Sequence, residues 1–136
     1  MVLARIHTIS VVHWYQLNCR LVHLQIINSP YAYLKQVSII QKLDRRMTLE
    51  DIAGSQQCSV EELLDAIEGI VASGTKVGLD YVLEEYLDED SIEELWDCFM
   101  DSEQGSVAEV MEEMEDAYSE EEIRLVRIKF MSEVAN

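Results

Sequence analysis

Apolar positions recur at helical spacing through most of the chain beyond residue 30. The clearest run is 48–74, TLEDIAGSQQCSVEELLDAIEGIVASG. Leu49, Ile52 and Ala53 line one short helix there, and Val60, Leu63, Leu64, Ile67, Ile70 and Val71 line a second. Thr48 is suited to cap the first helix, and Gly54 to end it in the left-handed conformation. Residues 55–58 then form the turn. Ser59, with Glu62 three residues on, makes a capping box for the second helix, and Gly74 is its stop. Two helices joined by a tight turn are a helix-turn-helix arrangement.

The flanking pattern is helical too. Pro30, the chain's single proline, suits a first helical turn with Ser29 as cap. The helix over 31–43 would turn Leu34, Val37 and Ile40 inward, with Tyr33 a further candidate. After the helix pair, TKVGLD at 75–80 reads either as the wing of a winged-helix fold or as a plain loop. A short helix follows over 81–87. Ser91 and Glu94 then open a helix with the stripe Ile92, Leu95, Trp96, Phe99 and Met100. Ser106 and Glu109 open another, over 107–118, and Ser119 and Glu122 the last, from 120 to about 134. In the last helix Ile123, Leu125, Val126, Ile128, Phe130, Met131 and Val134 are apolar almost all round the axis, as in a helix central to a core. The expected fold is an all-α bundle of six or so helices spanning 29–136, containing a winged-helix-like helix-turn-helix pair.

Residues 1–28 break this pattern. They are rich in β-branched and aromatic residues and hold no acid. The alternation from Arg5 to Val11 suggests a strand. The segment reads as strands or a loose tail, and a mispredicted or truncated start would account for it. It lacks an uninterrupted apolar core and a small-residue cleavage site, which disfavours a signal peptide.

Charge sharpens the division. The net charge is −17, but residues 1–46 carry +5 and residues 47–136 carry −22. The polar positions of the second helix of the pair are Glu61, Glu62, Asp65 and Glu68. A helix that reads bases in the major groove carries Arg, Lys, Asn or Gln toward the base edges. This one has none and would repel phosphate, so it is not expected to enter the groove. Such a surface favours basic protein partners.

Three scattered cysteines, Cys19, Cys58 and Cys98, make no disulfide framework and no zinc-type pair. They fit a reducing, cytoplasmic setting. No run of apolar residues is long enough to suggest a membrane span. His7, His13, His23 and Cys19 have no standard ligand spacing. GIVASGTK at 69–76 nearly spells a phosphate-binding loop, but its last two residues are reversed and a helix precedes it. Asp101, Glu103 and Glu112 hint at a calcium loop, yet the glycine sits fifth rather than sixth. No Ser-His-Asp or Cys-His grouping can be argued from spacing. No catalytic residue, cofactor or metal is therefore expected.

Three stretches carry a family resemblance: IIQKLDRRMTLEDIA at 39–53, SVEELLDAIEGIVASGTKVGLDY at 59–81, and YSEEEIRLVRIKF at 118–130. Together they resemble the C-terminal helix-turn-helix-type accessory domain of RecQ-like ATP-dependent DNA helicases, over roughly 37–136. In that family a motor, a zinc-binding subdomain and a winged-helix domain precede this region. The phosphate-binding loop, the DEAH-type box and the zinc cysteines of those parts do not occur in this sequence. The resemblance implies a detached or truncated accessory piece that neither hydrolyses ATP nor unwinds DNA alone.

Its implied role is binding, in DNA repair and recombination. Lys42, Arg45, Arg46 and Lys76 are the residues expected to touch DNA phosphate. The simpler reading of the basic cluster Lys35, Lys42, Arg45 and Arg46 is favourable charge at a helix C-terminus. Arg124 and Arg127 are expected to pair with carboxylates rather than form a DNA patch. The rival function is an acidic interaction module that docks on a basic partner or on the helicase's own DNA channel.

Overall fold

The computed structural model describes residues 30–134, with side chains from 32 onward. The strand-or-tail reading of 1–28 and the Ser29 cap lie outside the described residues. Among those residues there are seven α-helices and no strand: α1 Pro30–Asp44, α2 Leu49–Gln56, α3 Val60–Ala72, α4 Asp80–Tyr86, α5 Glu89–Asp101, α6 Val107–Glu113 and α7 Glu120–Val134. The all-α expectation holds, and TKVGLD is a loop rather than a wing.

Helix α7 is the axis. Ile123, Leu125, Val126, Ile128, Phe130, Met131 and Ser132 are all buried, and they fall on every side of the helix. Helices α3, α4, α5 and α6 pack around it. Phe130 stacks on Phe99 at 5.9 Å and meets the edge of Trp96 at 5.0 Å. The start of α7 is set locally: Ser119 Oγ accepts from Glu122 N at 3.2 Å, and Glu122 accepts from Ser119 N at 2.8 Å. On the other side α2 and α3 form the helix-turn-helix pair, with α1 packed on both. Leu49, Ile52, Leu63, Leu64, Ile67 and Ile70 join one core. Full burial of each such side chain stabilises by roughly 1.5–3 kcal/mol.

The caps of the pair are largely those expected. Thr48 Oγ1 accepts from Asp51 N at 3.2 Å. Ser59 and Glu62 exchange both bonds of a capping box. Helix α3 ends in a Schellman motif, with Gly74 at φ 98° and Thr75 N donating to Ile70 O at 3.4 Å.

Several boundaries differ from the sequence reading. Gly54 does not end α2. The helix continues to Gln56, and Gln57 takes the left-handed position at φ 57°. The added residues are held from outside the usual ladder: Ser55 Oγ donates to Ile52 O at 2.7 Å, and Gln56 Nε2 donates to Ser38 Oγ on α1 at 3.1 Å. These bonds offset the roughly 1–2 kcal/mol that a side chain costs in that conformation. On α1 the buried residues are Ile39 and Leu43, while Tyr33 and Leu34 are 67% and 65% exposed. Leu34 lies about 140° round the helix from Ile39, so both cannot face α2 and α3.

Helix α5 starts one turn earlier than expected. Asp88, not Ser91, caps it by accepting from Ser91 N at 2.8 Å, and these backbone and side-chain bonds hold the Asp88 carboxyl below its usual range. Its Met100 is exposed, and Cys98 is buried instead. Helix α6 stops at Glu113 rather than near 118, because Glu115 and Asp116 both adopt positive φ.

Candidate nucleic-acid and partner interface

Three of the four candidate phosphate-binding residues share one corner. Lys42 is in the last turn of α1, and Arg45 and Arg46 form the turn into α2. The turn is tight because Arg46 takes φ 56°, with Arg46 N donating to Leu43 O at 2.9 Å and Met47 N to Lys42 O at 3.2 Å. Tyr81 at the start of α4 donates its hydroxyl to Met47 O at 2.6 Å and pins this corner to the bundle. Burial and the charge of Glu85 raise the Tyr81 phenol, and the Arg46 charge opposes them. The hydroxyl therefore stays protonated and can donate.

The corner is not uniformly free. Lys42 Nζ is half-buried and donates to Ser38 Oγ at 3.0 Å. Ser38 accepts from Gln56 as well, so Lys42 belongs to the seam between α1 and α2. Arg45 and Arg46 are exposed. Lys76 is exposed too, but in the separate 73–79 loop, which Val77 N ties to Ser132 Oγ of α7 at 3.2 Å.

The second helix of the pair presents only acids. The exposed side chains of α3 are Glu61, Glu62 and Asp65. Helix α7 engages two of its carboxylates. Arg124 Nε donates to Glu68 Oε1 at 2.9 Å, and its Nη2 donates to Asp65. Arg127 Nη1 lies 3.7 Å from the same Glu68 oxygen, and Arg127 Nε donates to Gly105 O at 2.7 Å. The bond to Glu68 pushes the already high Arg124 pKa further up, against burial and with help from Asp65. The expected carboxylate pairing of Arg124 and Arg127 is what the structure contains. Both residues work as struts between α7, α3 and the loop before α6.

That loop also explains the failed calcium motif. Its donors point inward onto a carboxylate. Glu109 accepts from Ser102 Oγ at 2.8 Å, from Glu103 N at 3.1 Å and from Gln104 N at 3.1 Å. A calcium loop would turn oxygens inward instead. Glu109 therefore completes only half of the expected capping box: Ser106 Oγ accepts from Glu109 N at 3.2 Å, while its carboxylate serves the preceding loop. Burial would raise this carboxyl, but the hydrogen bonds outweigh it and the net shift is downward. A depressed carboxyl stabilises the fold above the usual carboxylate range and loses that contribution as pH falls through its lowered value. Glu109→Gln should cost about 1–2 kcal/mol at neutral pH. The gap from the parent should close in acid, as read by urea unfolding at both pH values. A gap that stays constant with pH would remove the charge from the explanation.

The Cys98 thiol is pushed up to about 12 by burial and by its bond to Glu113, so it stays a protonated, inert thiol. Among the described residues no group of three or more metal-ligating side chains is close enough to hold an ion. No described helix is long and apolar enough to cross a membrane.

A feature that sequence reasoning did not assemble lies between α4, α5 and α7. It is an open groove of about 1010 Å³. Its apolar floor includes Leu87, Ile92 and Trp96, and its rim includes Glu84, Glu89 and Glu93. The spacing of Ile92, Trp96 and Met100 was the available signal, but a stripe of that kind reads equally well as core.

No curated protein matches the chain. The family described as RecQ-1-like, helix-turn-helix domain matches residues 34–83. That span covers most of α1, all of α2 and α3, and the first turn of α4. It ends before the 118–130 stretch of the resemblance. Over residues 34–83 the chain is thus similar to the RecQ-1-like helix-turn-helix domain, in line with the resemblance carried by the two motifs at 39–53 and 59–81.

Proposed function

We propose that this chain is a non-catalytic accessory module acting beside a RecQ-like helicase motor in DNA repair and recombination. It holds DNA weakly, by phosphate alone, through Lys42, Arg45, Arg46 and Lys76. The observation that carries this reading is the pinned, exposed Arg45–Arg46 corner inside the matched helix-turn-helix domain. The acid-only exposure of α3 supports a mode in which that helix stays out of the groove.

Phosphate contact has a thermodynamic signature. Each lost contact should lower the slope of log affinity against log salt by about 0.9. Replacing the four residues with Ala should weaken binding to duplex DNA and flatten that slope, as read by fluorescence anisotropy over a salt series. Unchanged affinity and slope would sink the proposal. Since Lys42 is already engaged by Ser38, its single replacement should move the slope least.

The charge of −22 over residues 47–136 favours a second reading, an acidic module that docks on a basic partner or on the motor's own DNA channel. A pull-down against the motor domain tests it, with and without salt that shortens screening to about 4 Å. A complex that is absent, or indifferent to salt, counts against it.

A further inference from the structure

The groove between α4, α5 and α7 has two properties that together select an occupant. The first is apolar footing. Ile92 and Trp96 line it one turn apart on α5 and are half-exposed, and just beyond the groove Met100, one turn further along α5, is 56% exposed. Together they make a stripe at i, i+4 and i+8, about 12 Å long. The indole of Trp96 is held from beneath by Phe130 at 5.0 Å, so the footing is rigid.

The second property is charge of one sign. Among the described residues the groove's single cation is Lys129, already engaged by Asp80 at 2.6 Å and Glu133 at 3.8 Å. Glu84, Glu89 and Glu93 are exposed and have no cationic partner among the described residues. This rim would repel nucleic acid. It also lacks the close set of ligands that a metal ion requires.

We propose that this groove is the docking site for a basic amphipathic helix of a protein partner. The apolar face of that helix lies along Ile92, Trp96 and Met100, and its flanking Lys or Arg residues reach Glu84, Glu89 and Glu93. Helix-in-groove recognition uses apolar anchors at this spacing, and charges around the rim set orientation and partner choice. The inference rests on the acidic-module reading and deepens it by assigning the surface and the partner chemistry.

The probe is a fluorescently labelled amphipathic Leu/Lys peptide, with a scrambled peptide of the same composition as its control. Binding to the full chain is read by anisotropy. Neutralising the rim with Glu84→Gln, Glu89→Gln and Glu93→Gln should weaken binding about tenfold. The control triple Glu61→Gln, Glu120→Gln and Glu121→Gln removes the same charge from the surface where α3 meets α7 and should change affinity less than about twofold. Equal weakening by the two triples overturns the groove assignment and leaves the general acidic-module reading standing. A scrambled peptide that binds equally well overturns the helical partner. Failure of the parent chain to bind the peptide at all overturns both. All six residues are exposed and none serves a cap, so circular dichroism of each triple should match the parent.

Discussion

Phe130→Ala should destabilise the protein by about 3–5 kcal/mol, the largest loss expected from any single change considered. Phe130 is 1% exposed on the central helix and contacts both Phe99 and Trp96. Its removal forfeits apolar burial and leaves a cavity where α5 meets α7. Both helices pack in the same core, so the site is expected to relax only partly around the cavity. A domain of this size has total stability on the order of 5–15 kcal/mol, so the variant should sit close to its unfolding threshold. Urea unfolding followed by circular dichroism measures the loss. Phe130→Leu keeps most of the volume and should cost much less, under about 1.5 kcal/mol. A loss below about 1 kcal/mol for the Ala variant would mean that α7 is not the axis described.

Arg124→Ala should cost about 2 kcal/mol, between the value for a surface pair and that for a buried one. The Arg124 side chain is only 15% exposed, but its partners Glu68 and Asp65 are 26% and 66% exposed. Solvent therefore screens part of the attraction, above all at Asp65. Loss of the guanidinium leaves Glu68 half-buried with only the longer contact from Arg127. A double-mutant cycle with Glu68→Ala isolates the pair, and a coupling of about 1 kcal/mol or more is expected at low salt. Zero coupling would show the Arg124 contribution to be packing of its stem alone. The pair ties the second helix of the helix-turn-helix to α7, which lies outside the span matched to the family model. Loosening it should reduce protection of α3 amides from hydrogen exchange more than protection of α5 amides.

Much of the architecture was legible because it is locally encoded. A helix that is apolar on all sides has no solvent face to offer, so the central place of α7 follows from Ile123 to Met131 read in order. The Thr48, Ser59–Glu62 and Ser119–Glu122 caps were readable for a similar reason: each joins atoms three residues apart, whatever surrounds them. The candidate phosphate residues could be named by sign of charge, but not by availability. That Lys42 is committed to Ser38, which Gln56 also reaches, depends on how α1 lies against α2.

The amino-acid order on its own determined an all-helical chain, the helix-turn-helix pair, the anionic second helix and the identity of the core axis. These depend on periodicity, short-range capping and charge, which act within a few residues. Tertiary structure alone decided which of two possible stops ended α2, which face of α1 turned inward, where the Glu109 carboxylate went and which acids Arg124 engaged. In each case the short-range signals allow two solutions, and contacts between helices decide between them. The groove beside Trp96 belongs to this second class, since three helices must converge before an apolar stripe and an acidic rim become one surface.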